Sequence, residues 1–198
     1  MVLTRKETAQ ATRKKIINAA FAIVGEESFV GLTSNKLVNV AGIAKGTLYH
    51  HFKSLDDVVS AMMQKSIDDF MQSTPIKQFD SMADYLAALG DYQINILVED
   101  KVMMNTFYGF LPKGIHEKKY QLLCQQLLDA ACGQMVPAIK NFYGDNIPLE
   151  KIERTIRMID IFCIGFNFHL KVFEDKQAYK HLWKDFSLLL IHYLALDK

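Results

Sequence analysis

Cysteine is scarce in this chain, with Cys124, Cys132 and Cys163 the only three in 198 residues. The number is odd, each lies among apolar residues, and no Cys-x-x-Cys or Cys/His pattern has metal-ligand spacing. The three read as reduced, buried, small hydrophobes of a cytoplasmic protein, and no metal site is assigned. The first fifteen residues, MVLTRKETAQATRKK, lack the apolar core of a signal peptide. Long apolar runs are also missing. Phe186–Leu196 is too short to span a bilayer, and Ile152–Phe173 is interrupted by Arg157, Asp160, Asn167 and His169, so no membrane segment is expected. Period-two alternation and hairpin signals are absent, as are internal repeats and low-complexity stretches. Catalytic signatures are missing as well: no Glu-x-x-His pair, no His-Glu-x-x-His, no phosphate-binding glycine loop and no nucleophile elbow. His50 and His51 are adjacent and poorly placed as joint ligands, while His116, His169, His181 and His192 are scattered. No catalytic residue or cofactor is therefore assigned, and a helical-bundle enzyme is the remote alternative.

What remains is hydrophobic and helical. Half the residues are apolar, which excludes a disordered chain. The net charge of +1 hides a division: residues 1–53 hold eight lysines and arginines against three acids, a net of +5, leaving −4 for residues 54–198. A basic head on an acidic body fits a polyanion-binding module attached to something that must not bind polyanions. The domain boundary is placed accordingly, with 1–53 as the basic module and 54–198 as the body.

The stretch Leu32–Phe52, LTSNKLVNVAGIAKGTLYHHF, reads as two short helices joined by a tight turn. Leu37 and Val38 give the first an apolar face, and Gly42 suits the corner because it adopts positive φ without a Cβ penalty. Leu48 and Phe52 face inward from the second. This is a helix-turn-helix, whose second helix enters the major groove of DNA. Lys45, Gly46, Thr47, Tyr49 and His50 are left facing outward, and they are small, hydrogen-bonding or cationic as groove contact requires. Thr33 or Ser34 caps the preceding helix, and both hydroxyls suit a phosphate oxygen. Lys53 is a further phosphate contact. The basic leading turn Thr4-Arg5-Lys6 could lie along the backbone, reach a minor groove or simply fray.

Thr12-Arg13, Ile16 to Ala20, Gly31-Leu32-Thr33-Ser34, Ala41-Gly42-Ile43, Lys45-Gly46-Thr47-Leu48-Tyr49 and His51-Phe52 together resemble the signature of TetR-type (tetracycline-repressor-like) transcriptional regulators. The match covers about the first third of the chain. Two positions depart from it: Val38 replaces a small alanine at the helix crossing, and Leu55 replaces a phosphate-contacting lysine, whose contact is lost or passes to Lys53. The resemblance implies an all-α fold of about nine helices, with a three-helix head on a larger bundle. It also implies a repressor released from a palindromic operator when a small molecule enters the body and swings the helix joining body to head.

In the body, helices are expected at 54–73 with Pro75 closing it, 79–99, 101–111 stopped by Pro112, 117–143 kinked at Pro137, 148–173 and 176–196. The last two are apolar on more than one side, so one side packs on the protein's own core and the other meets a second copy. Ile156, Cys163, Phe186, Leu190, Tyr193 and Leu194 are the interface candidates, and Asn167 belongs to a polar edge. A homodimer presents two recognition helices to half-sites one DNA turn apart. Met62, Met103, Met104, Phe107, Tyr108, Phe110, Cys124, Phe166 and His169 form a Met- and aromatic-rich set suited to an apolar or amphipathic effector. The alternative is a body that binds a partner protein or no ligand.

Overall fold

The computed structural model describes residues 4–73, 79–145 and 147–196, the side chains of 70–73, 131, 132 and 134 apart. The expectations for Pro75, Asn146 and the Cys132 side chain lie outside these residues. Nine α-helices run through the described residues: α1 Arg5–Glu27, α2 Ser34–Ala41, α3 Lys45–His51, α4 Leu55–Ser73, α5 Met82–Asn95, α6 Lys101–His116, α7 Lys118–Tyr143, α8 Leu149–Phe173 and α9 Lys176–Ala195. No described residue is in a strand, and no described helix is long and apolar enough to cross a membrane. The chain gathers into two compact units, one made of the residues up to Asp68 with Lys101–Cys124, the other of Asp69–Asp100 with the residues from Gln125.

In the first unit α1 opens with a reciprocal cap. The Thr4 hydroxyl accepts from the Glu7 N–H, and the Glu7 carboxylate accepts from the Thr4 N–H at 2.7 Å. Ile16, Ala20, Ile23 and Val24 recur at helical spacing and are buried. α1 packs on α2 and α6. The α1–α6 approach depends on Gly25, where a Cβ would come 2.5 Å from Val102, and on the Asn105 amide, which donates to the Gly25 carbonyl at 2.8 Å.

α6 does not stop at Pro112. It continues to His116 with the proline inside it. A proline in a helix interior removes one backbone bond and costs on the order of 3 kcal/mol. Packing on both sides of the proline offsets that cost. Phe110 is buried against Phe29, ring centroids 5.1 Å apart, and Gly114 sits so near Cys124 that a Cβ there would approach its sulfur to 2.7 Å. α7 likewise runs as one helix through Pro137.

In the second unit, α5 ends at Asn95 and a 3-10 turn, Leu97–Glu99, follows. The expected single helix over 79–99 spans this break because Ile94 and Val98 recur four apart and are both buried. Two apolar clusters hold the unit. One gathers Leu86, Ile139, Ile152, Ile156, Leu190 and Leu194. The other gathers Ile94, Val98, Phe166, Leu170 and Trp183. The Trp183 indole donates to the Leu86 carbonyl at 2.8 Å, so its buried N–H is satisfied.

Candidate nucleic-acid interface

The outward face is built by α2 and α3. Thr33 caps α2, its hydroxyl accepting from the Lys36 N–H at 3.2 Å. Its own proton remains available to an external acceptor. α2 ends on Gly42, whose φ of 56° and ψ of 49° are left-handed. The Gly42 and Ile43 N–H groups then bond back to the carbonyls of Asn39 and Val38, each at 3.1 Å. That pattern sets the angle at which α3 leaves. Leu48 and Phe52 are buried, fixing the inward side of α3.

Lys45, Gly46, Tyr49 and His50 are exposed, and Thr47 is half-buried. A Cβ at Gly46 would meet nothing within 4 Å, so the middle of this face is open to close approach. The hydroxyls of Ser34 and Tyr49 lie 3.0 Å apart, tying the first turn of α2 to α3. Tyr49 is 45 % exposed, so this bond orients the ring without burying it. Lys53 is exposed and, like Lys45, has no ion-pair partner among the described residues. By contrast Lys36 is paired with Glu27, and the Arg13 guanidinium lies 4.5 Å from the Phe52 ring centroid. These two cations of the basic head are engaged internally.

Beyond Lys53 the Ser54 hydroxyl accepts from the Asp57 N–H at 3.1 Å and starts α4. The Asp56 carboxylate takes the Lys119 ammonium at 2.9 Å and the Tyr120 hydroxyl, which also lies 3.1 Å from the Asp56 carbonyl. Burial pushes the Asp56 carboxyl up, but the hydrogen bonds from Tyr120 and Lys119 outweigh it and hold the group below its ordinary value. Burial and the Asp56 bond both push the Tyr120 phenol up. Lys119 and Tyr120 carry no sequence signal; only the fold brings them beside α4.

The remaining candidates are dispersed. In the first unit Met62 and Phe110 are buried, Met104, Phe107, Tyr108 and Cys124 are half-buried, and Met103 is exposed. Phe166 and His169 belong to the second unit. Phe166 is committed to an aromatic cluster, 5.1 Å from the Trp183 ring, and His169 is exposed. A cleft of about 270 Å³ in the second unit is lined by Val98, Glu99, Leu170, Lys171, Glu174 and Lys176, none of them in that set.

The residues expected to meet a second copy sit on α8 and α9. Ile156, Leu190 and Leu194 are core residues of the chain itself, each 2 % exposed, and Cys163 and Phe186 pack against the same core. Phe186 stacks on Phe162, ring centroids 3.6 Å apart. Tyr193 is half-buried, 5.2 Å from the Lys151 ammonium. Burial drives the Cys163 thiol up to about 12, with Asp160 adding to it. Asn167 is not on the polar edge: it is buried, with its amide donating to Gln93 and its Oδ1 without a hydrogen-bond partner among the described residues. The large apolar groups that α8 and α9 leave exposed include Ile161, Phe168, Val172, Phe173, Leu182, Leu188 and Leu189.

Residues 16–62 match the family model described as bacterial regulatory proteins, tetR family. An HTH-type transcriptional regulator of Staphylococcus aureus (strain USA300) is 26% identical over 103 residues, 50% of this chain and 55% of that protein. The chain therefore spans about half the length of the curated relatives it matches. Among solved structures, Salmonella enterica GusR superposes with a TM-score of 0.72 at 17% identity, covering 98% of each chain. The multidrug binding protein EbrR complexed with malachite green gives 0.63 at 16% identity over 91% of this chain and 96% of that one. FadR from Bacillus subtilis in complex with stearoyl-CoA gives 0.62 at 17% identity over 89% and 96%. At these identities the structural likeness is one of fold.

Proposed function

We propose that this chain, which belongs by its amino-terminal domain to the TetR-type bacterial regulatory proteins, is a DNA-binding transcriptional regulator acting in the cytoplasm. It binds a palindromic operator as a homodimer and is released by a small apolar or amphipathic effector. The observation that carries the reading is the open face of α3, where Lys45, Gly46, Tyr49 and His50 are exposed around a glycine with free space beside it. Thr47 flanks that face, Thr33 and Ser34 present hydroxyls beside it, and Lys53 supplies a cation for the phosphate backbone.

The homodimer rests on the uncovered face of α8 and α9. Ile161, Gly165, Phe168 and Val172 follow one another at spacings of four, three and four, the seam of a helix that packs on a helix. Ile161 and Leu189 are both 69 % exposed, apolar surface that a partner would remove from water. The small Gly165 allows close backbone approach at the middle of the seam. A homodimer joined through such faces holds two copies of α3.

For the effector, the half-buried Met104, Phe107, Tyr108 and Cys124 and the buried Met62 and Phe110 of the first unit supply adaptable apolar side chains. Proteins of like fold hold malachite green in one case and stearoyl-CoA in another, which favours a ligand with a substantial apolar part.

Sequencing the genomic fragments retained by the purified full chain at low ionic strength tests the proposal. The expected result is a small enriched set sharing an inverted repeat. Retention of no duplex, or uniform retention of all fragments at every salt concentration, contradicts it.

A further inference from the structure

We propose that Lys119 and Tyr120, on the first turn of α7, are positioning residues for the DNA-binding head, acting through Asp56 and Asp57 on the first turn of α4. The inference rests on the DNA-binding reading above and adds to it a device outside the helix-turn-helix.

Only Lys53 and Ser54 separate Phe52, which caps α3, from Leu55, which opens α4. Whatever holds the first turn of α4 therefore fixes the exit of α3 and the place of Lys53. That turn is held from outside the head. Tyr120 is fully buried, and its hydroxyl donates toward the carbonyl and carboxylate of the same residue, Asp56. A buried ring bonded to main chain and side chain at once leaves the turn little freedom to tilt. An exposed ion pair alone would contribute between nothing and roughly 1 kcal/mol, so the buried tyrosine is what makes this a rigid attachment.

Lys119 adds a second effect. Its ammonium lies 2.9 Å from the Asp56 carboxylate and 3.6 Å from that of Asp57. These carboxylates favour the start of α4 through the helix dipole, yet they stand three and four residues from Lys53, on the approach of a polyanion. Left bare, they would repel every duplex regardless of sequence; the Lys119 ammonium offsets one of the two charges. The two residues thus act differently, Tyr120 on geometry and Lys119 on charge.

The test uses the full chain and the duplex enriched from genomic fragments, beside a random-sequence duplex of equal length. Tyr120→Phe, which keeps the ring and removes only the hydroxyl, should weaken the enriched duplex about fivefold and leave the random one unchanged. Lys119→Ala should weaken both about fivefold, and Lys119→Arg should restore them. Made on top of Asp56→Ala with Asp57→Ala, Lys119→Ala should change nothing further. Unaltered affinities in both variants, with only a lowered melting temperature, would make the attachment purely structural and overturn the inference. If the parent retained no duplex at all, the DNA-binding reading would fall and this inference with it.

Discussion

The hydroxyls of Ser34 and Tyr49 meet at 3.0 Å across the helix-turn-helix. One belongs to the first turn of α2 and the other to the exposed face of α3, so the bond sets the direction in which the tyrosine ring projects. Ser34→Ala and Tyr49→Phe each break the same contact. Each should weaken the enriched duplex, and the double variant by less than the two effects combined, because they share one bond. Tyr49→Ala also removes the ring and should cost more. Because the pair is exposed, all of these should melt within a degree or two of the parent, about what a change below roughly 0.5 kcal/mol produces. Fluorescence anisotropy with matched thermal melts checks both statements.

Lys53 is free of internal partners among the described residues and precedes the cap of α4. Lys53→Ala should lower affinity evenly across sequences and flatten the dependence of log K on log salt by about one unit. Lys36→Ala should do less, since that ammonium is paired with Glu27. A salt titration of both variants distinguishes them.

Gly42 holds the corner with positive φ. A Cβ there meets only Lys15, at 3.6 Å, so its penalty is conformational and not steric. Gly42→Ala should destabilise the first unit by about 1–2 kcal/mol in a urea melt. Gly90 is the contrasting case. A Cβ there would overlap the Trp183 indole and break its bond to Leu86. Gly90→Ala should therefore cost about 1–3 kcal/mol of stability by overpacking, leaving the DNA face intact.

The attachment of α4 to α7 carries a pH signature. The Asp56 carboxyl is held below its ordinary value in the folded chain. Its contribution is present above the unfolded carboxylate pKa and is lost as pH falls through the lowered one. The gap in melting temperature between the parent and Asp56→Asn should thus be constant near neutrality and shrink only in acid. A gap that instead grows on acidification would contradict the assignment.

The head was legible in the sequence because its constraints are local. Gly42 needs a left-handed corner, Thr33 precedes a helix, and Leu48 and Phe52 recur at helical spacing, all within twenty residues. The body was legible as helices but not as surfaces. Ile156, Leu190 and Leu194 look the same in sequence whether they face a partner or their own core, since periodicity gives a stripe and not what covers it. Asn167 reads as polar edge until Gln93, 74 positions away, is brought against it. Pro112 reads as a stop because Phe29, which packs on Phe110 just ahead of it, is remote in the chain. The attachment of Lys119 and Tyr120 to Asp56 spans more than sixty residues and carries no motif.

The central claim is that two copies of α3 engage one duplex on successive turns, and a hydroxyl-radical footprint of the full chain on its enriched duplex tests it most directly. Two protected blocks are expected on one face of the DNA, centred about 10–10.5 base pairs, or roughly 34–36 Å, apart. A single protected block, or none, would contradict it.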